Sequence, residues 1–439
     1  MLAATWTGAA QANDSAHSSA PPPIPNERLL NPDVAVYRRA VNELWVYDTR
    51  PEAGVGAHQM DEATLGLIRG AGMRLVRHTM YWNLIETTET PGKYDPTALA
   101  EWDAKVARCT RMGIVPVVVV HGNPPGVDFA HRQEGYRRFA RFMGDMAARY
   151  PAVRFWELWN EMDQAFTDLF GNGHADVPLR ERGGMYAEML KLAYPAIKAA
   201  NPRAWVLTGG MTDWNDFPRG IYAAGGGAFF DFLNLHTYGV PVLYGFVGRG
   251  LALYAVMKEF GDEGRPLWNT EFGIDAGNVV NAWGIPHTRK PPEEDGASFD
   301  AVHLATWRDC LTDNARRRLY VKALGYQFVA GNETARERMA KEAKLPTGRT
   351  QDDYGFGLVR ADGHTPRPAY DWLKTGGINA AVLKGDERTL DIELYIPDNM
   401  VPAGHKYDYD WRAPWVQIKG VKVNTLEPTV IRLQPAPAR

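Results

Sequence analysis

Trp156-Glu157-Leu158-Trp159-Asn160-Glu161-Met162-Asp163 is the stretch that decides the reading of this chain. An apolar run from Val153 to Trp159 leads straight into an Asn-Glu pair, which is how a buried strand delivers a carboxylate to the rim of a sheet. Pro266-Leu267-Trp268-Asn269-Thr270-Glu271-Phe272-Gly273 repeats the arrangement with a second carboxylate. Two glutamates at the ends of separate strands, each bordered by tryptophan, point to acid/base chemistry on a sugar. Hydrolysis of a glycoside needs one carboxyl to protonate the leaving oxygen and another to attack the ring carbon or to activate water.

Outward from these two segments a rhythm extends over most of the chain. Short apolar runs end in polar or aromatic residues and are followed by helical segments. The runs are Val55–His58, Arg74–Thr79, Val115–His121, Val153–Asn160, Ala204–Gly209, Phe230–His236, Pro266–Glu271 and Tyr326–Ala330. Asp95-Pro96 opens one helix as N-cap and first-turn proline. That helix carries Leu99, Trp102, Val106 and Met112 at helical spacing and stops at Gly113. Others are expected over Tyr136–Arg149, Gly184–Ala200, Leu251–Phe260, Asp300–Leu324 and near Ala369–Leu373. Eight β–α units predict a (β/α)8 TIM barrel. Runs such as Val117-Val118-Val119-Val120 fit strands buried on both faces. The rival, an open doubly wound sheet, brings a glycine-rich phosphate loop after its first strand; Gly54-Val55-Gly56-Ala57 lacks the third glycine and the helix that should follow.

After Leu373 the pattern changes to alternation. Thr389–Tyr395, Trp415–Val421 and Thr429–Leu433, with turns at Pro397-Asp398-Asn399 and Ala403-Gly404, predict a small C-terminal all-β appendage over 378–439, to which Val34–Tyr47 could add a strand. The barrel is expected over 34–377, preceded by a leader over 1–33. Ala10-Gln11-Ala12 resembles a signal-peptidase site, but no Lys or Arg precedes Arg28. The segment reads as a flexible leader or the remnant of an export signal, with a secreted or periplasmic location expected.

The chain has 439 residues, 45% hydrophobic and 23% charged, an ordinary globular balance. Its net charge of −3 gives no basic surface for nucleic acid, and no apolar stretch is long enough to span a membrane. The 14 tryptophans are the anomaly: flat faces for stacking sugars, or plain core filling. Cys109 and Cys310 fit no zinc site; one bridge or two buried thiols are both compatible with their spacing.

In a barrel of this kind the active site lies at the C-terminal ends of the strands. The runs end in Arg77 (with Tyr81 and Trp82 following), His121, Asn160 with Glu161, His236 with Tyr238, and Glu271. No His/Cys/Asp cluster suggests a metal, and no cofactor is called for. Glu157 lies one strand-repeat from Glu161, deeper in the run, and is expected in an ion pair or the barrel interior; His78 alternates with Arg77 and should point away from that interior.

These residues resemble the signature of the clan of retaining glycoside hydrolases built on a (β/α)8 barrel, which includes cellulases, mannanases, β-xylosidases and α-L-iduronidase. Asn160-Glu161 resembles the clan's acid/base motif and Glu271 its nucleophile. Arg77 is similar to its strand-two arginine, and His236-Thr237-Tyr238 to its strand-six element. Tyr354-Gly355-Phe356-Gly357-Leu358 through Pro366-Arg367-Pro368-Ala369-Tyr370, with the β appendage, is most similar to family 39. The resemblance implies that Glu161 is the general acid/base, with a pKa held high by the second carboxylate and tryptophan walls. It implies that Glu271 is the nucleophile, kept ionised by Arg77 and Tyr238. Asn160 would bind the sugar 2-hydroxyl, His121 and His236 would bind hydroxyls or tune the carboxylates, and Trp82 and Trp159 would stack on rings. The clan's tryptophan after strand eight is missing, and Phe328 is expected in its place. The charged loop 331–353 could reach over the cleft, or form a solvated helix. The expected activity is hydrolysis of β-glycosidic bonds in a poly- or oligosaccharide with retention; the rival is a non-catalytic carbohydrate-binding protein on the same scaffold.

Overall fold

The structure is a computed structural model that describes residues 28–29, 34–40, 43–128, 131–164, 176–238, 243–273, 296–326, 328–329, 356–360, 362–375, 387–395, 416–424 and 427–432. The expected leader, residues 274–295 and the stretch 331–353 expected as a charged loop lie outside the described residues. Strands β1 Arg28–Leu29, β2 Val34–Ala40 and β3 Glu43–Asp48 precede the barrel. The barrel strands are β4 Glu52–Gly56, β5 Leu75–Tyr81, β6 Val115–His121, β7 Phe155–Asn160, β8 Trp205–Gly210, β9 Leu233–Tyr238, β10 Leu267–Gly273 and β11 Lys322–Gly325. Strands β12 Glu387–Tyr395, β13 Val416–Asn424 and β14 Thr429–Arg432 follow.

The eight barrel strands run parallel in the order β8-β7-β6-β5-β4-β11-β10-β9. The seam between β8 and β9 is irregular. Isolated bridges Leu207–Phe232 and Met211–Leu235 close it. The Thr208 and Asn234 side chains stitch the gap: Asn234 N donates to Thr208 Oγ1 at 3.0 Å and Asn234 Nδ2 to the Thr208 carbonyl at 3.3 Å. Helices pack between the strands, so a (β/α)8 barrel is present as the periodicity predicts. The helix Pro96–Met112 has its cap in place: Asp95 accepts from Ala98 N at 2.9 Å, and Gly113 ends the helix at φ 66°. On β6, Val117 to Val120 are all buried. Cys109 and Cys310 are buried, free thiols. Among the described residues no helix is long and apolar enough to cross a membrane.

Two strands sit elsewhere than expected. The first runs Glu52–Gly56 rather than Val55–His58. The eighth is Lys322–Gly325, not Tyr326–Ala330, and the helix drawn to Leu324 stops at Arg317. One interaction explains both displacements. Glu52 and Lys322 face each other in register across β4 and β11 and form a buried ion pair at 2.8 Å. A charge at a strand end reads as surface, but here each charge neutralises the other inside the sheet.

The antiparallel pair β2–β3 joins β14 in one sheet, and β12 pairs with β1 and β13 in another. The first sheet closes the N-terminal mouth of the barrel. Trp45 and Tyr47 of β3 enter a cluster with Leu75, Val117, Phe155, Trp205, Leu207, Phe232, Trp268 and Leu324, all at or near the starts of barrel strands. Trp45 meets Trp205 edge-on, with ring centroids 4.7 Å apart. Glu427, just before β14, accepts from Trp205 Nε1 at 2.9 Å and pairs with Arg154. Removing a fully buried indole such as Trp45 should cost about 3–5 kcal/mol. Trp45→Ala is therefore expected to lower the denaturant midpoint with the slope unchanged; a loss below about 1 kcal/mol would show that the plug is not part of the barrel core.

Candidate active site

The rim of the barrel departs from ideal strand geometry where its carboxylates lie. Strict alternation along β7 would put Glu157, Trp159 and Glu161 on one face. Instead Trp159 adopts φ 74° and Glu161 φ 43°, a region that non-glycine residues rarely occupy. The kink turns Trp159 outward, where it packs against Phe139 at 5.7 Å, and turns both Asn160 and Glu161 inward. On β10 the register with β9 shifts between Asn269 and Glu271. Thr270 and Glu271, successive residues, thus both reach the interior. Bulges of this kind re-aim side chains beside active sites.

Arg77, on β5, is the hub of what they meet. Its Nε and Nη2 donate to Glu157 at 2.8 and 2.9 Å, Nη2 also donates to Asn160 Oδ1 at 2.7 Å, and Nη1 donates to Glu271 Oε1. Glu271 accepts at its other oxygen from the Tyr238 hydroxyl. Burial would raise the Glu157 carboxyl, but Arg77 and His236 outweigh it and hold it at about 2. Burial and the Glu271 charge push the Tyr238 phenol well above its usual range, so it remains a donor.

His236, fully buried on β9, touches the second carboxylate. Its Nδ1 lies 2.9 Å from Glu161 Oε1 and 3.4 Å from Glu271 Oε2, while Nε2 lies 3.0 Å from Thr270 Oγ1. Burial would lower its pKa, yet Glu271, Glu157 and Glu161 together raise it to about 9. The ring has room because position 210 is glycine: a Cβ there would stand 1.8 Å from Nε2. Burial acts to raise Glu161, but the hydrogen bond and charge of His236 hold it below the ordinary carboxylate value. This differs from the raised value the sequence suggested. Tryptophan walls do not surround Glu161; a cationic imidazole does, and the acid proton of the pair rests on it. His121 is lowered to about 4 by burial and by Arg77, so it is neutral near pH 7.

These groups open onto a cleft of about 710 Å³, lined by His58, Arg77, Thr79, Tyr81, His121, Asn160, Glu161, Gln164, Thr212, Tyr238, Arg249, Glu271, Tyr326 and Phe356 among others. One oxygen each of Glu161 and Glu271 and a ring nitrogen of His236 lie within 4.8 Å of one another. That spacing could also hold a divalent cation. However, Arg77, Tyr238 and the imidazolium already meet the carboxylates, which suits proton chemistry better.

Most residues singled out in the sequence converge here: Arg77, His121, Asn160, Glu161, Tyr238 and Glu271 line the cleft, and His236 lies beneath it. Trp82 and Trp159 do not. Trp82 is buried against Phe139 and Phe142, with its N–H donating to Glu86 at 2.6 Å, and Trp159 is buried by the kink described above. Neither can stack on a sugar. Phe328 is likewise buried, against Tyr370, and the phenol and phenyl rings that line the cleft are Tyr81, Tyr238, Tyr326 and Phe356. Glu157 forms its expected ion pair. His78 points outward onto Trp102 and bonds the Ala57 carbonyl at 2.7 Å. Sequence reasoning passed over Gln164, Thr212 and Arg249, which follow strands but stand in loops or at a helix start, with no motif to mark them.

Similar folds are known. A family 39 glycoside hydrolase from the gut symbiont Bacteroides cellulosilyticus WH2 superposes with TM-score 0.52 at 18% identity, over 92% of this chain and 88% of that one. A glucosidase from Croceicoccus marinus gives TM-score 0.52 at 15% identity, over 86% and 82%. A GH5_18 protein from Bifidobacterium longum subsp. longum, solved with Manβ1-4GlcNAc, gives 0.51 at 14% identity, over 74% and 77%. At these identities the likeness speaks for the fold. No curated protein shows significant sequence similarity to the chain. The model of the family "Cellulase (glycosyl hydrolase family 5)" matches residues 46–290, which span β7, β10 and both rim glutamates. With more than half its length matched, the chain belongs to glycosyl hydrolase family 5, within the clan whose Asn-Glu and second Glu it carries, and is a glycosidase.

Proposed function

We propose that the protein is a retaining glycosidase that cleaves β-linkages of an oligo- or polysaccharide by double displacement. The distance between the two rim carboxylates carries this reading. Their oxygens approach within 4.8 Å. Retaining enzymes hold the pair about 5–5.5 Å apart, whereas inverting ones leave about 6.5–9.5 Å for a water.

In this reading Glu271 attacks the anomeric carbon, and the bond to the leaving oxygen breaks as Glu161 delivers a proton to it. Water then gives a proton to Glu161 while its oxygen attacks the same carbon, releasing the sugar and restoring Glu271. The contacts suit these roles. Arg77 and Tyr238 each take a different oxygen of Glu271, so its charge is met from two sides until it attacks. Asn160 has its Oδ1 committed to Arg77, which leaves its amide N–H groups for the sugar 2-hydroxyl, where hydrogen bonds strengthen in the transition state. His121, neutral, offers the sugar a donor or an acceptor rather than a charge.

Glu271→Gln should abolish turnover and prevent labelling by a 2-deoxy-2-fluoroglycoside, which in the native protein should add one sugar mass to the peptide containing Glu271. Proton NMR of the first-formed product should show the substrate's anomeric configuration. An inverted anomer would rule out double displacement.

The pH profile tests the acid. The His236–Glu161 pair holds one proton until pH rises through about 9, where the imidazolium is lost. Because kcat/KM reports groups of the free enzyme, it should fall on the alkaline side near that value. His236→Asn keeps a donor toward Glu161 but removes the second titrating group. The proton must then sit on the carboxyl alone, and the alkaline limb should move down by at least about one pH unit. An unmoved limb would mean that another group supplies the proton.

A further inference from the structure

The cations of the cleft are not alike. Arg77 is shared between two glutamates, and His236 faces three. Arg249, the first residue of the helix Arg249–Glu259 that follows β9, also lines the cleft. No carboxylate among the described residues pairs with it, and its Nε is buried without a hydrogen-bond partner. Its guanidinium lies over the Trp214 ring, 4.7 Å from the centroid. A guanidinium drawn partly out of water without a counter-charge is costly unless something supplies one. A stacked guanidinium is also held in one plane, so its planar fork loses little freedom on meeting a carboxylate, which it matches with two parallel hydrogen bonds.

Its position in the cleft says which sugar it would meet. Arg249 lines the cavity together with Gln164 and Thr212, whose side chains are bonded to each other. Gln164 N donates to the Glu161 carbonyl at 2.9 Å, so this end of the cleft borders Glu161. His58 and Tyr326 come from the turns after β4 and β11, across the barrel from the loops after β7 and β8, and Thr79 and Tyr81 come from β5, separated from β7 by β6. A proton donor stands beside the oxygen it protonates, so the sugar at the Arg249 end is the leaving one. We infer that Arg249 reads the carboxylate of a uronic acid residue in the leaving-group part of the cleft. The inference rests on the assignment of Glu161 as the acid in the double displacement proposed above. The local charge agrees with it. Glu157, Glu161 and Glu271 outnumber Arg77 and the His236 imidazolium by one, so an anionic leaving sugar would be repelled without a compensating cation.

The test uses the sugar-trapped enzyme. Once a 2-deoxy-2-fluoroglycoside has labelled the protein, activity returns as an acceptor entering the leaving-group site removes the label. Methyl β-D-glucuronide is expected to restore activity at least about tenfold more efficiently than methyl β-D-glucoside, the margin of a charge-assisted pair. The advantage should shrink at high salt. It should vanish in Arg249→Gln and survive in part in Arg249→Lys, which keeps the charge but loses the fork. Equal reactivation of the native protein by the two glycosides overturns the inference, as does a preference that Arg249→Gln leaves intact. If no label forms at all, the double displacement is at fault instead. Titration of the untreated protein with the same two glycosides, followed by NMR, then decides the role of Arg249 by the same comparison.

Discussion

The site depends on one guanidinium. Arg77 stands between Glu157 and Glu271 and also holds Asn160, so one side chain from β5 joins β7 and β10 across the barrel. Three carboxylates in a buried space of this size could not all stay ionised alone, because like charges a few ångströms apart raise one another's pKa values. Arg77 and the His236 imidazolium make the arrangement tolerable. Glu157 is not among the residues that line the cleft. It sits at the base, fully buried, and fixes the arginine that in turn positions the groups above it. A buried pair of this kind contributes little net stability against a hydrophobic replacement, yet breaking it by removing one partner is costly. Its contribution is geometric.

That geometry comes with backbone strain. Trp159 and Glu161 both hold positive φ, each at a cost on the order of 1–3 kcal/mol for a non-glycine residue in a sparse region. The cost is offset by what surrounds the kink. The Trp159 ring is buried against Phe139, Glu161 N donates to the Gly210 carbonyl at 3.0 Å, and Gly210 N donates to Glu157 at 3.0 Å. The same glycine admits the His236 ring. Local regularity is given up on β7, and the neighbouring strand is shaped to hold the result. The opposite mouth of the barrel carries an aromatic plug with no comparable polar demand, so rigidity and chemistry occupy different ends.

Much of this was legible in the sequence, for identifiable reasons. Apolar runs ending in Glu161 and Glu271 announce their place because a parallel barrel buries its strands on both faces and exposes only their ends. Asp95-Pro96 and Gly113 mark a helix because a cap and a left-handed stop are local chemistry. The failures share one cause, which is that tertiary partners overrule local pattern. Glu52 and Lys322 hid the two strand positions because each is neutralised by a residue far along the chain. Trp82 and Trp159 looked like sugar platforms, since composition cannot tell an indole in a cleft from one under a helix. The period-two rule was sound along β7 up to Leu158 and failed at Trp159, where a positive φ reverses the faces. Tyr326 lines the cleft and Phe328 is buried, because the strand before them ends earlier than the apolar run suggests.

Glu161 shows why position alone does not fix a pKa. A carboxyl beside another carboxylate is expected to gain a proton, and Glu161 with Glu271 invites that reading. The imidazole between them changes the outcome. His236 sits 2.9 Å from one carboxylate and 3.4 Å from the other, so it is the group whose protonation relieves both charges at once. In the free protein the proton therefore rests on His236 next to Glu161 rather than on Glu161 itself, and the proposed double displacement would draw it through Glu161 to the leaving oxygen. An acid role for Glu161, as proposed, would depend on the distance between His236 and Glu161 more than on a raised carboxyl pKa. The kink at Glu161, the space left by Gly210 and the Thr270 contact to the far side of the ring supply that distance.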